Sequence, residues 1–348
     1  MAPQFHRQNS RPVAPVVSIV LLDWSCRERF DTLRWLNQQQ VPRESYELIW
    51  VELYDRVVPQ ALNQADVVLT CGQRGRYHKH AGYNAGLLAA RGQIITVSDS
   101  DAVFPPTIVR SVIDSFHLSG TTAPQPLVLM HYQWRTRALY PPHLERIEEL
   151  AQFQWVKLWP NVGACMSVRA TDAIRFGGFD EDASYRGYFC GPYDLGWRLV
   201  NAGIPERWHD PAVALWHFAH PDPIASFGQR FSWKRWREVT HPHLDGHALT
   251  AVTRFASGQV LPLQEHPEIH QRRLALRQIG TPYEEQYATW PALSRTTRFR
   301  LRSRNIWEPI RRSYWDARAA VTRKWLARLL GADRYARWRH WIEVRRKT

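Results

Sequence analysis

Short apolar runs alternate with helical stretches over the first third of this 348-residue chain. Four runs carry the pattern: Val16–Leu22, Tyr46–Val51, Ala65–Thr70 and Ile94–Val97. Most of these runs do not alternate with polar residues as a half-exposed strand does. A continuous apolar run is typical of a strand that is buried on both faces. Residues 77–91, between the last two runs, have helical spacing. This alternation predicts an α/β protein with a mostly parallel central sheet flanked by helices.

Acidic residues follow three of these runs. Asp23 closes the first, Glu52 the second, and the pair Asp99 and Asp101 the fourth. Open α/β sheets bind ligands beyond the carboxyl ends of their strands, so we expect these acids along one edge. Mg²⁺ and Mn²⁺ prefer a few carboxylate oxygens together with the phosphate oxygens of a substrate. A solvated Asp-Ser-Asp turn is the plain alternative, but acids at three strand ends favour a nucleotide and metal site.

The pattern becomes mixed in the middle of the chain. The later predicted elements are strands at Leu127–Met130 and Gly163–Val168, a glycine-hinged loop at Gly177–Glu181, an amphipathic helix at Tyr193–Asn201 that ends at Gly203, and a strand at Ala212–Trp216. The last strand leads into His217 and His220. A histidine at that place is a candidate metal ligand, with a packed or surface histidine as the alternative.

Taken in order, these motifs resemble the family-2 glycosyltransferases of the GT-A fold over about residues 14–221. The motifs are the apolar first strand, the acid Glu52, Ala81-Gly82-Tyr83-Asn84-Ala85-Gly86 on a helix, Asp-Ser-Asp at 99–101, Gly-Gly-Phe-Asp-Glu at 177–181, Asp194-Leu195-Gly196-Trp197-Arg198-Leu199, and the late histidine. The resemblance implies a GT-A, Rossmann-like fold. It also implies a nucleotide-diphosphate sugar as donor substrate and Mn²⁺ or Mg²⁺ as cofactor.

The same resemblance implies roles for individual residues. Asp23 and Glu52 would face the base and ribose, and Lys79 and Asn84 would lie near the nucleotide. Asp99 would lie near the ribose and the metal. The remaining metal ligands would be Asp101 and His217, with His220 as the fallback. A metal at this place would neutralise the diphosphate leaving group as its charge develops.

One departure from the family pattern concerns the general base. Many inverting members carry a Glu-Asp pair where this chain has Gly191 and Pro192. An inverting transfer needs a carboxylate that takes the proton from the acceptor hydroxyl. The nearest candidate is Asp194, which as a first-turn acid could instead complement the helix dipole. A relocated base, a retaining mechanism and a weakened enzyme all remain open at this point, with inversion favoured.

Charge is distributed unevenly along the chain. Residues 230–348 contain 25 Lys and Arg against 10 Asp and Glu, whereas the first 229 residues contain 21 against 22. From residue 307 onward, Trp, Leu and Tyr recur at three- and four-residue spacing with arginines between them. Such helices lie in the membrane interface, and each basic residue there contributes on the order of 1 kcal/mol. Packing of the apolar face onto the catalytic domain is the alternative, and nucleic-acid binding is disfavoured.

These observations predict an organisation and a location. We expect an N-terminal tail at 1–13, a GT-A domain at 14–228, a connecting, acceptor-side region at 229–295 and basic amphipathic helices at 296–348. The chain lacks a signal-peptide pattern and an apolar run of about 20 residues, which favours a cytoplasmic protein at the inner membrane face. The acceptor is then expected to be a lipid-linked or surface glycan. A nucleotidyltransferase and a non-catalytic GT-A scaffold are the competing functions.

Overall fold

The computed structural model describes residues 3–7, 12–25, 31–117, 123–141, 144–153, 155, 157–160, 165–187 and 191–219. The strands are β1 (Gln4–Arg7), β2 (Val17–Asp23), β3 (Tyr46–Glu52), β4 (Val67–Thr70), β5 (Ile94–Asp99), β6 (Ala102–Val103), β7 (Val128–Met130), β8 (Tyr132–Leu139), β9 (Lys157–Pro160), β10 (Cys165–Arg169), β11 (Glu206–Trp208) and β12 (Leu215–Ala219). The α-helices are α1 (Asp31–Leu36), α2 (Pro59–Gln64), α3 (Lys79–Ala89), α4 (Ile108–Phe116), α5 (Ala170–Arg175) and α6 (Tyr193–Asn201).

The main sheet has eight strands in the order β1-β4-β3-β2-β5-β10-β7-β11. Its four central strands, β4, β3, β2 and β5, are parallel, and β10 joins them antiparallel to β5. Every residue of β2 and β3 is buried, as their continuous apolar runs predict. A mostly parallel sheet with this order is Rossmann-like, and the predicted α/β class is confirmed for the described residues. The chain has a GT-A-like α/β fold.

The first strand was not anticipated. Residues 1–13 read as a tail, yet β1 (Gln4–Arg7) pairs antiparallel with β4 at the edge of the main sheet. Its side chains are exposed or half-buried, so the segment carries no apolar signal of a strand. The backbone groups of β4 stabilise it instead, together with a hydrogen bond of 3.0 Å between the His6 ring and Thr70 Oγ1.

A second sheet of four strands has the order β6-β12-β8-β9. Its strand β12 begins three residues later than the sequence predicts, because Pro211–Val213 forms a 3-10 turn. The Asp210 side chain caps that turn by accepting the Ala212 N–H at 2.8 Å. In β12, His217 pairs with Ala102 of β6 and with Arg135 of β8. The sheet therefore brings three distant parts of the chain next to the Asp-Ser-Asp turn.

Helix α3 packs on the main sheet through glycine. A Cβ on Gly86 would lie 2.2 Å from Val20 Cγ1, and one on Gly82 would lie 2.4 Å from Leu22 Cδ1. The absence of both side chains lets the helix lie close to β2, which fixes the N-terminus of α3 at the edge where the acids lie.

The chain divides into two compact units, and all described residues belong to the first, Met1–Ala292. The predicted connecting region (229–295) and basic helices (296–348) lie outside the described residues. Among the helices that are described, we find none with the length and apolar character needed to cross a membrane.

Candidate functional site

The candidate site lies at the point of the main sheet where the order of successive strands reverses. From β2 the chain adds β3 and then β4 on one side, and α3 then carries it back to β5 on the other side of β2. Crevices at such switch points, outside the carboxyl ends of the strands, are where α/β sheets bind ligands. The register pairs Asp23 with Glu52 and Leu22 with Asp99. The acids that the sequence placed at three strand ends therefore lie side by side.

Asp23 and Glu52 form the first part of the site, and both are fully buried. Arg56 donates to Asp23 Oδ2 at 2.6 Å, and the Ser25 hydroxyl donates to Glu52 Oε1 at 2.7 Å. The Tyr54 N–H also donates to Glu52, at 2.9 Å. Burial raises the pKa of Glu52, and the neighbouring Asp23 raises it further. These carboxylates are held rigidly by the loops that follow their strands.

Lys79 and Asp99 form the second part. Lys79, the first residue of α3, is buried and places Nζ 2.8 Å from each carboxylate oxygen of Asp99. Its ammonium also lies 4.4 Å from the centre of the Trp24 ring, and Tyr83 donates to Asp99 at 3.4 Å. The predicted nucleotide residues Lys79 and Asp99 are thus in direct contact. A fixed cation at this edge suits a diphosphate.

Asp101 and His217 form the third part, although they are far apart in sequence. His217 Nε2 lies 3.2 Å from Asp101 Oδ2. Two ligands that bind one Mg²⁺ or Mn²⁺ at right angles, each about 2.1 Å from the metal, lie about 3 Å apart. No cluster of three or more His, Cys, Asp or Glu side chains suited to a metal occurs within the described ranges. The spacing of the pair would suit a divalent cation whose remaining ligands would be substrate phosphate and water.

Arg135 is a site residue that the sequence analysis missed. It lies in β8, directly opposite His217 of β12. Burial lowers the pKa of its guanidinium, whereas the nearby carboxylates of Asp101 and Asp99 raise it. Nothing in the Tyr132–Leu139 sequence marks Arg135 out from its neighbours. Only the pairing of β8 with β12 brings this charge to the acids.

Asn84 lies one helical turn beyond His80 on α3, and its amide is engaged by the glycine-hinged loop. Its Nδ2 donates to the Phe179 carbonyl at 2.7 Å and to Glu181 Oε1 at 2.8 Å, and its Oδ1 accepts the Phe179 N–H at 2.8 Å. The loop itself turns through left-handed backbone at Gly177 and Gly178. The predicted contact of Asn84 with the nucleotide stays a prediction. In the structure, Asn84 holds the glycine-hinged loop against α3.

Asp194 lies in the first turn of α6, buried beneath the same loop. Its Oδ2 accepts the Asp180 N–H at 2.9 Å and a guanidinium N–H of Arg198 at 3.1 Å. His80 lies 4.0 Å from the same oxygen. Among the described residues, Asp194 Oδ1 has no hydrogen-bond partner. One oxygen therefore holds the loop, and the other is buried without a hydrogen bond.

Arg198 completes this arrangement by donating to the carbonyls of Phe176 and Gly178. The predicted helix Tyr193–Asn201 is confirmed residue for residue, and Gly203 closes it through left-handed backbone, with its N–H donating to Val200 at 3.1 Å. His220 lies outside the described residues.

No protein-family model matches the sequence, and no curated protein matches it. Comparison with solved structures found the mannosyltransferase PcManGT from Pyrobaculum calidifontis in complex with GDP-Man and Mn²⁺. It is 13% identical with a TM-score of 0.40, covering 88% of this chain and 91% of that one. It also found S. aureus TarS 1–349 in complex with UDP-GlcNAc, 13% identical with a TM-score of 0.44, covering 78% and 77%. At this level of similarity the fold assignment rests on strand order and register, and the function rests on the site.

Proposed function

We propose that this chain is a metal-dependent glycosyltransferase that moves a sugar from a nucleotide-diphosphate sugar to a hydroxyl acceptor. The observation that carries the proposal is the meeting of two pairs at one sheet edge. Lys79 contacts Asp99, and His217 contacts Asp101. A diphosphate needs countercharge on its oxygens, and a departing nucleoside diphosphate needs more of it as its bond to the sugar breaks.

The residues divide this work. Asp23 and Glu52 are the last residues of β2 and β3, where buried acceptors suit the hydroxyl and amide hydrogens of a nucleoside. Lys79 supplies a fixed positive charge against Asp99, and Arg135 supplies a second positive charge near Asp101 and Asp99. Asp101 and His217 would hold the divalent cation, which supplies Lewis-acid stabilisation of the leaving diphosphate when bound.

Asp194 is the proposed general base of an inverting transfer. Its unpartnered Oδ1 supports this role, since a general base must offer a lone pair to the acceptor hydroxyl. Its salt bridge to Arg198 supports a second role, in which Asp194 fixes the loop at 177–181. The first role predicts that Asp194→Asn loses turnover, and the second predicts that it loses stability.

We also propose that the protein acts in the cytoplasm, at the inner face of the cell membrane, on a lipid-linked or surface glycan. The basic, tryptophan-rich sequence of residues 296–348 supports this. The full chain should sediment with vesicles of phosphatidylglycerol in low salt and should not sediment with phosphatidylcholine alone. Equal sedimentation with both, or with neither, would contradict the proposal.

The donor is tested by thermal shift of the purified full chain with UDP-, GDP-, CMP- and dTDP-sugars, each with Mn²⁺, Mg²⁺ or EDTA. A donor at about 100 times its dissociation constant should stabilise the fold by about 2.7 kcal/mol, an easily measured shift. We expect one nucleotide to give a metal-dependent shift. No shift with any donor would favour the non-catalytic scaffold.

A pair of variants localises that effect. Asp101→Asn should abolish the metal-dependent part of the shift, because it weakens one of the proposed protein ligands, which are Asp101, His217 and, by the family resemblance, Asp99. Asp114→Asn is the matched control, since Asp114 is an exposed acid on α4. Full activity of Asp101→Asn in EDTA would refute metal dependence. Production of diphosphate from a nucleoside triphosphate and a sugar phosphate would instead identify a nucleotidyltransferase.

A further inference from the structure

A cavity of about 570 Å³ lies on the outer face of α3, beyond the end of β4. Ala81, Ala85 and Leu88 of the helix form one wall, and the loop that follows β4 forms another. This volume is in the range of small-molecule sites. The cavity is separate from the strand-end site, because Lys79 and Tyr83 project from the opposite side of α3 toward Asp99.

The charge of the cavity is strongly positive. Arg74, Arg76 and Arg186 line it, and Glu181 is the acid among the described lining residues. Glu181 Oε1 already accepts a hydrogen bond from Asn84 at 2.8 Å. Arg74 forms an exposed ion pair of 3.5 Å with Asp55, and such pairs are weak enough to exchange for a ligand. Planar guanidinium groups in this number suit a phosphate, which they bind through two parallel hydrogen bonds.

His78 gives the cavity wall a second recognition group. It is about 95% buried, and its Nε2 lies 3.2 Å from the Asp182 carbonyl, so that nitrogen carries the hydrogen and donates it. Burial lowers the pKa of His78, which keeps the ring neutral. Nδ1 is therefore an acceptor, and within the described part of the chain it has no hydrogen-bond partner. A buried acceptor without a partner is costly, and a ligand hydroxyl would satisfy it.

The Gln73 side chain holds His78 in place. Its Oε1 accepts the His78 N–H at 3.0 Å, and its Nε2 donates to the His78 carbonyl at 3.2 Å. The backbone on both sides of the ring is thus fixed before any ligand arrives. Cys71 also lines the cavity, but burial raises the pKa of its thiol to about 12, so it is not a reactive thiolate.

We propose that this cavity is a second binding site, specific for a phosphate ester that carries a free hydroxyl group. The phosphate contacts Arg76 and Arg186, and the hydroxyl donates to His78 Nδ1. A phosphorylated carbohydrate has both groups. His78 directly precedes Lys79, so the cavity and the strand-end site adjoin the same preformed N-terminus of α3.

The test is isothermal titration calorimetry of the full chain in EDTA, with glucose 6-phosphate as the probe. We expect saturable binding that becomes at least tenfold weaker in Arg76→Gln/Arg186→Gln. Arg91→Gln/Arg110→Gln is the matched control, because it removes the same charge from two exposed arginines outside the cavity. Absence of binding, or equal weakening in both double variants, would overturn the proposal.

Two further comparisons test the chemistry of recognition. Glucose without phosphate should not bind, and His78→Phe should weaken glucose 6-phosphate about tenfold while inorganic phosphate is unaffected. Equal effects of His78→Phe on both probes, in a variant that melts like the wild type, would refute the hydroxyl contact. If Asp101→Asn abolishes binding, the probe occupies the strand-end site and the proposal is wrong. None of these results depends on the proposed transferase activity.

The source of the phosphate is distinguished by a diester probe, glycerophosphoglycerol. Tighter binding of glucose 6-phosphate would support a free sugar phosphate as the ligand. Tighter binding of the diester would support a phosphodiester-linked glycan.

Discussion

At the scale of single residues, Asn84 shows how one side chain can fix a whole loop. Its amide makes three hydrogen bonds of 2.7–2.8 Å to Phe179 and Glu181. The Gly177–Glu181 loop must then lie against α3, next to Lys79 and the acids of the site. An amide is needed because both donors and the acceptor are used.

Asn84→Asp should therefore be strongly destabilising. The carboxylate would face the Phe179 carbonyl and the Glu181 carboxylate, where the wild type presents two N–H donors. The loss should be about 3 kcal/mol, measured by urea denaturation. Asn63→Asp, on the exposed side of α2, should change stability by less than about 0.5 kcal/mol. Similar stabilities of the two variants would show that the loop does not depend on this amide.

Asp194→Asn separates the two roles of Asp194. We expect the folded variant to bind donor like the wild type and to lose most of its turnover, because the amide cannot take a proton. It should also be destabilised by about 3 kcal/mol, since Arg198 then lies buried without its charge partner. Turnover assays and chemical denaturation measure the two effects. Undiminished turnover would move the base elsewhere and leave Asp194 with the loop alone.

The sequence predicted the acids but not all of their partners. Asp23, Glu52, Asp99 and Asp101 could be placed because each follows an apolar run, and strand ends converge in a parallel sheet. Arg135 could not, because its position depends on strand register in a second sheet. Local sequence carries no signal of such long-range pairing.

At the scale of elements, α3 connects three parts of the molecule. Its glycine face lies on β2, Lys79 contacts Asp99, and the opposite face lines the cavity. The sequence predicted this helix at 77–91 and the structure has Lys79–Ala89, since terminal turns have no periodic signal of their own. The edge strand β1 was missed for a related reason. Its four residues are polar or exposed, and only the unpaired edge of β4 makes them a strand.

Gly86→Ala should destabilise the protein by about 2 kcal/mol, because the new methyl group would lie 2.2 Å from Val20 Cγ1. Val20 is β-branched and cannot turn away easily. The matched test is the double variant Val20→Ala/Gly86→Ala, in which the clash is relieved. Its loss in urea denaturation should be smaller than the sum of the two single losses. Additive losses would indicate that α3 simply moves outward.

At the scale of the whole molecule, a buried chain of polar side chains crosses the main sheet. It runs from Thr96 through Ser167, His131 and His209 to Ser111, with successive contacts of 2.6–3.1 Å. These residues belong to or flank β5, β10, β7, β11 and α4. The network thus connects the central strand of the site to the far edge of the sheet.

This network should make the fold sensitive to acid. Burial lowers the pKa of His209 to about 4, and it lowers the pKa of His131 as well. As the pH falls, the histidines of the unfolded chain take up protons near pH 6.5, whereas those of the folded chain do so only at lower pH. Stability should then fall as the pH drops from about 6.5 to about 4, by about 3 kcal/mol for His209.

Urea denaturation at pH 7.0, 5.5 and 4.5 measures this dependence. His209→Asn should be less stable at pH 7 but should lose less stability on acidification than the wild type does. A wild-type stability that is flat or rises between pH 7 and pH 4.5 would contradict the prediction.

The contact between Asp101 and His217 joins residues 116 positions apart, whereas Lys79 and Asp99 are 20 apart. A chain emerging from the ribosome could assemble the second pair well before β12 has been synthesised. Contacts of such long sequence separation form late and slowly during folding. A nascent chain would therefore pass through a stage in which Lys79 and Asp99 are already in contact and the proposed metal pair, Asp101 and His217, is incomplete. If the pair binds a metal as proposed, metal binding would report that β12 has docked.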